Sequence, residues 1–177
     1  MSTAAPALGA GPWQGAAACR AALGRWLCGL AAEIGPGLTG RPGAPIMQAV
    51  CVDRHFGDWP LEEAEVLSAL AAWLRRPGRR LQLIAQDYPV TALRLPRFTR
   101  WRRDFAHGID AWQPVEPVLP AGLRGCAAGP LALQWLDRPD LHLRRLDDPQ
   151  ALAELRHQTA DFLQRCEPAW AVTTLGL

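Results

Sequence analysis

Ala49-Val50-Cys51-Val52-Asp53-Arg54-His55 is the stretch on which the reading of this chain turns. Four apolar residues run into a polar cluster, as a buried strand does when it ends at an open sheet edge. A helical stretch follows from about Leu61 to Arg75, with Val66, Leu67, Leu70, Trp73 and Leu74 on one stripe. Glu62, Glu63 and Glu65 stand at its start and Arg75 and Arg76 at its end, as the helix dipole favours. Pro77-Gly78 stops it. A second apolar run, Arg80 to Ala85, also leads to an acid, Asp87. A second helix is expected over Pro96 to Phe105, with Phe98, Trp101 and Phe105 stacked on its inner side. A third strand is expected over Gly108 to Trp112. Strand, helix, strand, helix, strand predicts an α/β fold with a mixed, largely parallel central sheet flanked by helices.

The segment from Pro114 to Pro130 carries four prolines and reads as a loop. Leu131 to Leu136 and Leu141 to Leu146 read as a hairpin about the turn Asp137-Arg138-Pro139-Asp140. Asp148-Pro149 opens a last helix that turns Leu152, Leu155, Phe162 and Leu163 inward. Residues 1–45 differ from the rest. They are rich in Ala, Gly and Pro, and Gly35 to Pro45 reads as a linker. Ala16 to Ile34 could form a helix, but Arg20 and Arg25 interrupt it, so no membrane span or signal peptide is expected there. The expected organisation is a flexible or weakly structured extension over 1–45 and a single α/β domain over 46–177.

All 19 basic residues are Arg, and the net charge of +2 is too small to imply nucleic acid by itself. The charge is uneven: residues 75–103 hold nine Arg against Asp87 alone, a net +8. One surface is therefore expected to be basic. The five cysteines form no C-x-x-C pair, which argues against zinc and for reduced thiols in a cytoplasm.

Candidate chemistry gathers at the strand ends, where α/β sheets hold their ligands. Asp53, Arg54, His55 and Asp87 could bind a phosphate or do acid–base work. The competing reading is structural, with the acids capping helices. Arg97 and Arg100 on the basic helix are candidate ligand contacts for an acidic protein or a phosphate-containing ligand. The aromatic residues of that helix lie at core spacing, so nucleic acid is expected to be an unlikely partner. A second copy of the chain is a further candidate partner. No nucleophile motif is present, and the only serines are Ser2 and Ser68. No metal site and no cofactor are expected.

Val50-Cys51-Val52-Asp53, Trp73-Leu74-Arg75-Arg76 and Leu83-Ile84-Ala85-Gln86-Asp87, in this element order, resemble an uncharacterised phospholipase D-like domain of proteobacteria, sometimes attached to acetyltransferases. The resemblance covers residues 46–170 and implies one half of a phospholipase D-like fold. Active members carry H-x-K-x-x-x-x-D, in which the His attacks phosphorus and the Lys holds the phosphate. This chain has no Lys. His142 and Arg144 lead to Asp148 as H-x-R-x-x-x-D, one residue too short, and Arg is not a geometric equal of Lys. The expectation is a non-catalytic binding or scaffolding module. A phosphate-ester hydrolase or transferase using His142 or the Asp53, His55 and Asp87 cluster, with His142, Arg144 and His55 as catalytic candidates, and a nucleic-acid module using 97–103, are the alternatives.

Overall fold

The computed structural model describes residues 8–34 and 44–172. In chain order the elements are β1 (Trp13–Gln14), α1 (Ala16–Ala31), β2 (Gln48–Asp53), α2 (Ala64–Leu74), β3 (Arg80–Ala85), α3 (Tyr88–Arg94), α4 (Pro96–Asp104), β4 (Ile109–Pro114), β5 (Gly125–Ala128), β6 (Leu131–Leu136), β7 (His142–Leu146), α5 (Pro149–Leu163) and β8 (Cys166–Pro168). The strands form one sheet in the order β1-β7-β6-β5-β2-β3-β4-β8.

The three apolar runs of the sequence make the parallel heart of this sheet, with Cys51 beside Leu83 and Leu83 beside Ala111. The α/β class therefore holds. The expectation of a largely parallel sheet does not, because the other five strand pairings are antiparallel. One cause is β5, which lies inside the expected Pro114–Pro130 loop and inserts against β2 with Cys126 opposite Cys51. The hairpin of β6 and β7 extends the sheet from there.

Alternation along the strands divides the side chains between two faces. Ala49, Cys51, Leu81, Leu83, Ala111, Cys126, Leu131, Leu133 and Leu143 join the larger core with α1, α2 and the inner residues of α3 and α4. Val52, Ile84 and Ala132 point the other way and meet Leu152, Leu155 and Phe162 of α5. Each βαβ crossover thus places its helix on the same side of the sheet, and α5 crosses the opposite side.

Residues 8–34 belong to this body, which corrects the expected weak structure of the first 45 residues over that span. Cys19, Ala22, Leu23, Trp26, Leu27 and Leu30 of α1 are fully buried. They fall at i, i+3, i+4, i+7, i+8 and i+11, one continuous apolar stripe that packs on α2. Glu33, just past α1, accepts hydrogen bonds from the Ile46 N–H (2.6 Å), Arg76 Nη1 (2.6 Å) and Arg79 Nη2 (2.8 Å). This clamp ties the end of α1 to the start of β2 and the end of α2. Within the expected linker, residues 35–43 lie outside the described residues. Further on, Asp87 and Asp148 each cap a helix whose first turn holds a proline, accepting from Val90 N–H (3.0 Å) and Ala151 N–H (2.8 Å). At the far end, Ala169 and Trp170 dock on the larger core. Residues 173–177 lie outside the described residues.

Candidate functional site

Asp53 ends β2 with its side chain buried. Its Oδ2 accepts from Trp59 Nε1 (3.1 Å) and Arg124 Nη2 (3.1 Å), and its Oδ1 accepts from the His55 N–H (3.3 Å). Both carboxylate oxygens are thereby engaged inside the protein. Arg54 turns its side chain to solvent, while its carbonyl accepts the Gln86 and Asp87 N–H groups, both at 3.0 Å. His55 is half-buried, and its Nδ1 accepts from the Gly57 N–H at 3.0 Å, which places the neutral ring's proton on Nε2. A Cβ at Gly57 would lie 2.8 Å from both His55 Nδ1 and Arg94 Cδ, so this turn and the Arg94 side chain approach closely at a glycine. Asp87 is occupied as the cap of α3. The structure does bring Asp53, Arg54, His55 and Asp87 to neighbouring strand ends. Of these, Asp53, His55 and Asp87 are held by local hydrogen bonds.

His142 and Arg144 share a face of β7, three strand spacings from β2. At about 4.8 Å per spacing, about 14 Å separate β7 from β2 across the sheet. His142 Nδ1 donates to the Asp140 carbonyl (3.0 Å), and Arg144 Nε donates to Gln134 Oε1 (2.8 Å). Asp148, the acid of the imperfect motif, caps α5. Its neighbour Asp147 accepts from Arg145 Nε at 3.0 Å. His142 and Asp53 therefore do not converge on one cleft.

On α4, Arg97 and Arg100 are exposed. The Glu62 carboxylate sits at the helix start, accepting the Arg97 N–H (3.2 Å) and Phe98 N–H (2.9 Å), while Arg97 Nη1 donates to the Glu62 carbonyl (3.0 Å). Phe98 and Phe105 are buried as expected. Trp101 is only half-buried, with its ring stacked between theirs at 5.6 and 4.6 Å. The fully packed basic residue is Arg102. Its guanidinium lies 4.0 Å over the Trp170 ring and donates to the Trp170 carbonyl.

Nothing here activates a thiol. Burial, with Glu65 and Glu63 nearby, pushes Cys28 up to about 11. Burial raises Cys19, Cys51, Cys126 and Cys166 as well. All five stay protonated at neutral pH. Among the described residues, no group of three or more His, Cys, Asp or Glu side chains is placed to hold a metal ion.

One feature was invisible in the sequence. A cavity of about 310 Å³ opens between α5 and the sheet, with Val50, Val52, Ala127, Leu155 and Leu163 among its lining. Neither Asp, Glu nor His lines it. The small residues of β5 make the room. Gly125 has φ +143°, and a Cβ there would collide with the Leu133 carbonyl at 2.0 Å. The Gly129-Pro130 turn was the one available sign that a strand precedes β6.

No family model matches the chain, and no curated protein matches it. Among solved structures, the chain is similar to TrmBL2, an archaeal chromatin protein described as showing a novel mode of DNA binding. The match has a TM-score of 0.50 and 9% identity, and spans 69% of this chain and 45% of that chain. At this identity the likeness is one of fold. It overturns the expectation against nucleic acid as a partner: a chain sharing this fold belongs to a DNA-binding protein, so core-spaced aromatics on α4 do not exclude that class. No described helix is long and apolar enough to cross a membrane.

Proposed function

We propose that this domain is a non-catalytic binding module of phospholipase D-like type that holds its ligand against the α5 side of the sheet. One observation carries the reading. The polar groups that could do chemistry are divided between distant strands and engaged in capping and packing, while the cavity under α5 is apolar and lined by no acid and no His. The element order from β2 through α5 supports the phospholipase D-like assignment, and the missing Lys supports loss of catalysis. Five free thiols support a reducing compartment, a bacterial cytoplasm in this reading. The test is turnover of bis(p-nitrophenyl) phosphate by the purified chain. No hydrolysis above background is expected. Turnover that disappears in His142→Ala or in His55→Ala would make the domain a phosphate-ester hydrolase instead.

A second reading, nucleic-acid binding through α4, is favoured by the exposed guanidinium groups of Arg97, Arg100 and Arg103. The fold shared with TrmBL2 is compatible with it. Anisotropy of a labelled 20-base-pair duplex at several salt concentrations tests it. In this reading log K falls linearly with log salt, and the double variant Arg100→Ala, Arg103→Ala lowers the slope by about 2, since each phosphate contact contributes about 0.9. No binding even at 20 mM salt removes the reading.

A further inference from the structure

We infer that the cavity under α5 takes a medium-chain carboxylate, its alkyl body against the sheet and its anionic head at the Arg156 rim. This rests on the binding-module reading and names its ligand class. The size comes first: about 310 Å³ is at the lower end of small-molecule pockets, which run from about 300 to 1,000 Å³. The floor is Val50, Val52 and Ala127, with Leu155 and Leu163 of α5 above, so the body of the ligand must be apolar.

Charge selects the head group. The amides of the lining already have partners: Gln48 Nε2 donates to Gln82 Oε1 at 2.7 Å, and Gln134 receives Arg144 at 2.8 Å. The lining holds two cations, Arg124 and Arg156, and Arg124 is already paired with the buried Asp53 carboxylate at 3.1 Å. Arg156 Nη2 donates to the neutral Gly129 carbonyl. Arg156 forms no ion pair among the described residues. One unpaired guanidinium beside a lining that has no Asp or Glu of its own leaves a positive rim over a largely apolar pocket. An anion completes it, and an ammonium would be repelled.

Isothermal calorimetry of the full chain with octanoate, 1-octanol and octylamine reads this directly. Octanoate should bind at least tenfold more tightly than octanol, and octylamine more weakly than either. Arg156→Gln, at an exposed position, should erase the preference for octanoate and leave octanol binding in place. Ala127→Phe, which fills the floor, should abolish binding of all three. Should Ala127→Phe not fold, the Arg156→Gln variant and the three-ligand comparison still decide the outcome. Octanol or octylamine binding as tightly as octanoate would refute the anion preference while leaving a binding module intact. Absence of heat with all three at millimolar concentration would refute the cavity as a ligand site. The phosphodiester turnover assay decides separately whether the domain is catalytic.

Discussion

Arg124 Nη2 and Trp59 Nε1 meet on a single oxygen of Asp53, so this acid joins the end of β2 to the turn that follows it and to the entry of β5. Replacing it strands a guanidinium and an indole N–H in a largely dry place. Asp53→Ala should cost about 3 kcal/mol in urea unfolding, near the lower end of the range for breaking a buried pair. Asp53→Asn keeps an acceptor and should cost less. Glu33 predicts a pH effect. Burial alone would raise its pKa, but the Ile46 N–H, Arg76 and Arg79 outweigh that and hold it below the usual carboxylate value. A carboxylate with a depressed folded pKa adds stability above its unfolded pKa and loses it as pH falls through the folded value. Melting from pH 6 down to pH 3 should therefore destabilise the native chain more than Glu33→Gln; equal slopes would show that the clamp contributes nothing. At this scale the sequence was partly legible. Asp87 and Asp148 could be read as caps because their partners lie three residues away. Arg124 could not be assigned to Asp53, because 71 residues separate them and only the unseen β5 brings them together.

The stripe of α1 was legible and was overruled by its setting. Ala, Gly and Pro around it suggested a tail, no side chain caps its start at Gly15, and two arginines seemed to interrupt it. Arg20 in fact lies on the outer side and pairs with Glu63 at 2.9 Å. Periodicity was the better guide than composition, because burial needs one face and not the whole helix. Removal of residues 1–34 should accordingly leave an insoluble or unfolded chain. Trp26→Ala, at a fully buried position, should cost about 3–5 kcal/mol. Near-native melting of either variant would show that the rest of the chain closes its own core. β5 failed for the opposite reason: Gly125-Cys126-Ala127-Ala128 offers neither β-branched nor aromatic side chains, so nothing local marks it as a strand.

Across the whole molecule, the parallel heart was readable because right-handed crossovers leave few ways to connect three sequential strands. Those crossovers step in one direction, so they put α2, α3 and α4 on one side. The crevice that forms where a doubly wound sheet reverses direction is therefore absent at the strand ends. That is the physical reason the Asp53–Asp87 edge offers structure more readily than a ligand site. Which side α5 would take depended on β5, and so the cavity could not be foreseen.

The outermost strands carry a different consequence. β1 and β8 contribute two and three residues, yet they flank β7 and β4, which run for five and six. Each border of the sheet is therefore sealed by a short piece of chain laid down far away in sequence. These pieces behave as stoppers against strand-by-strand growth, since a long bare edge recruits another chain. Clipping a stopper would bare the longer strand behind it and change the company the molecule keeps, since that open flank would recruit another chain.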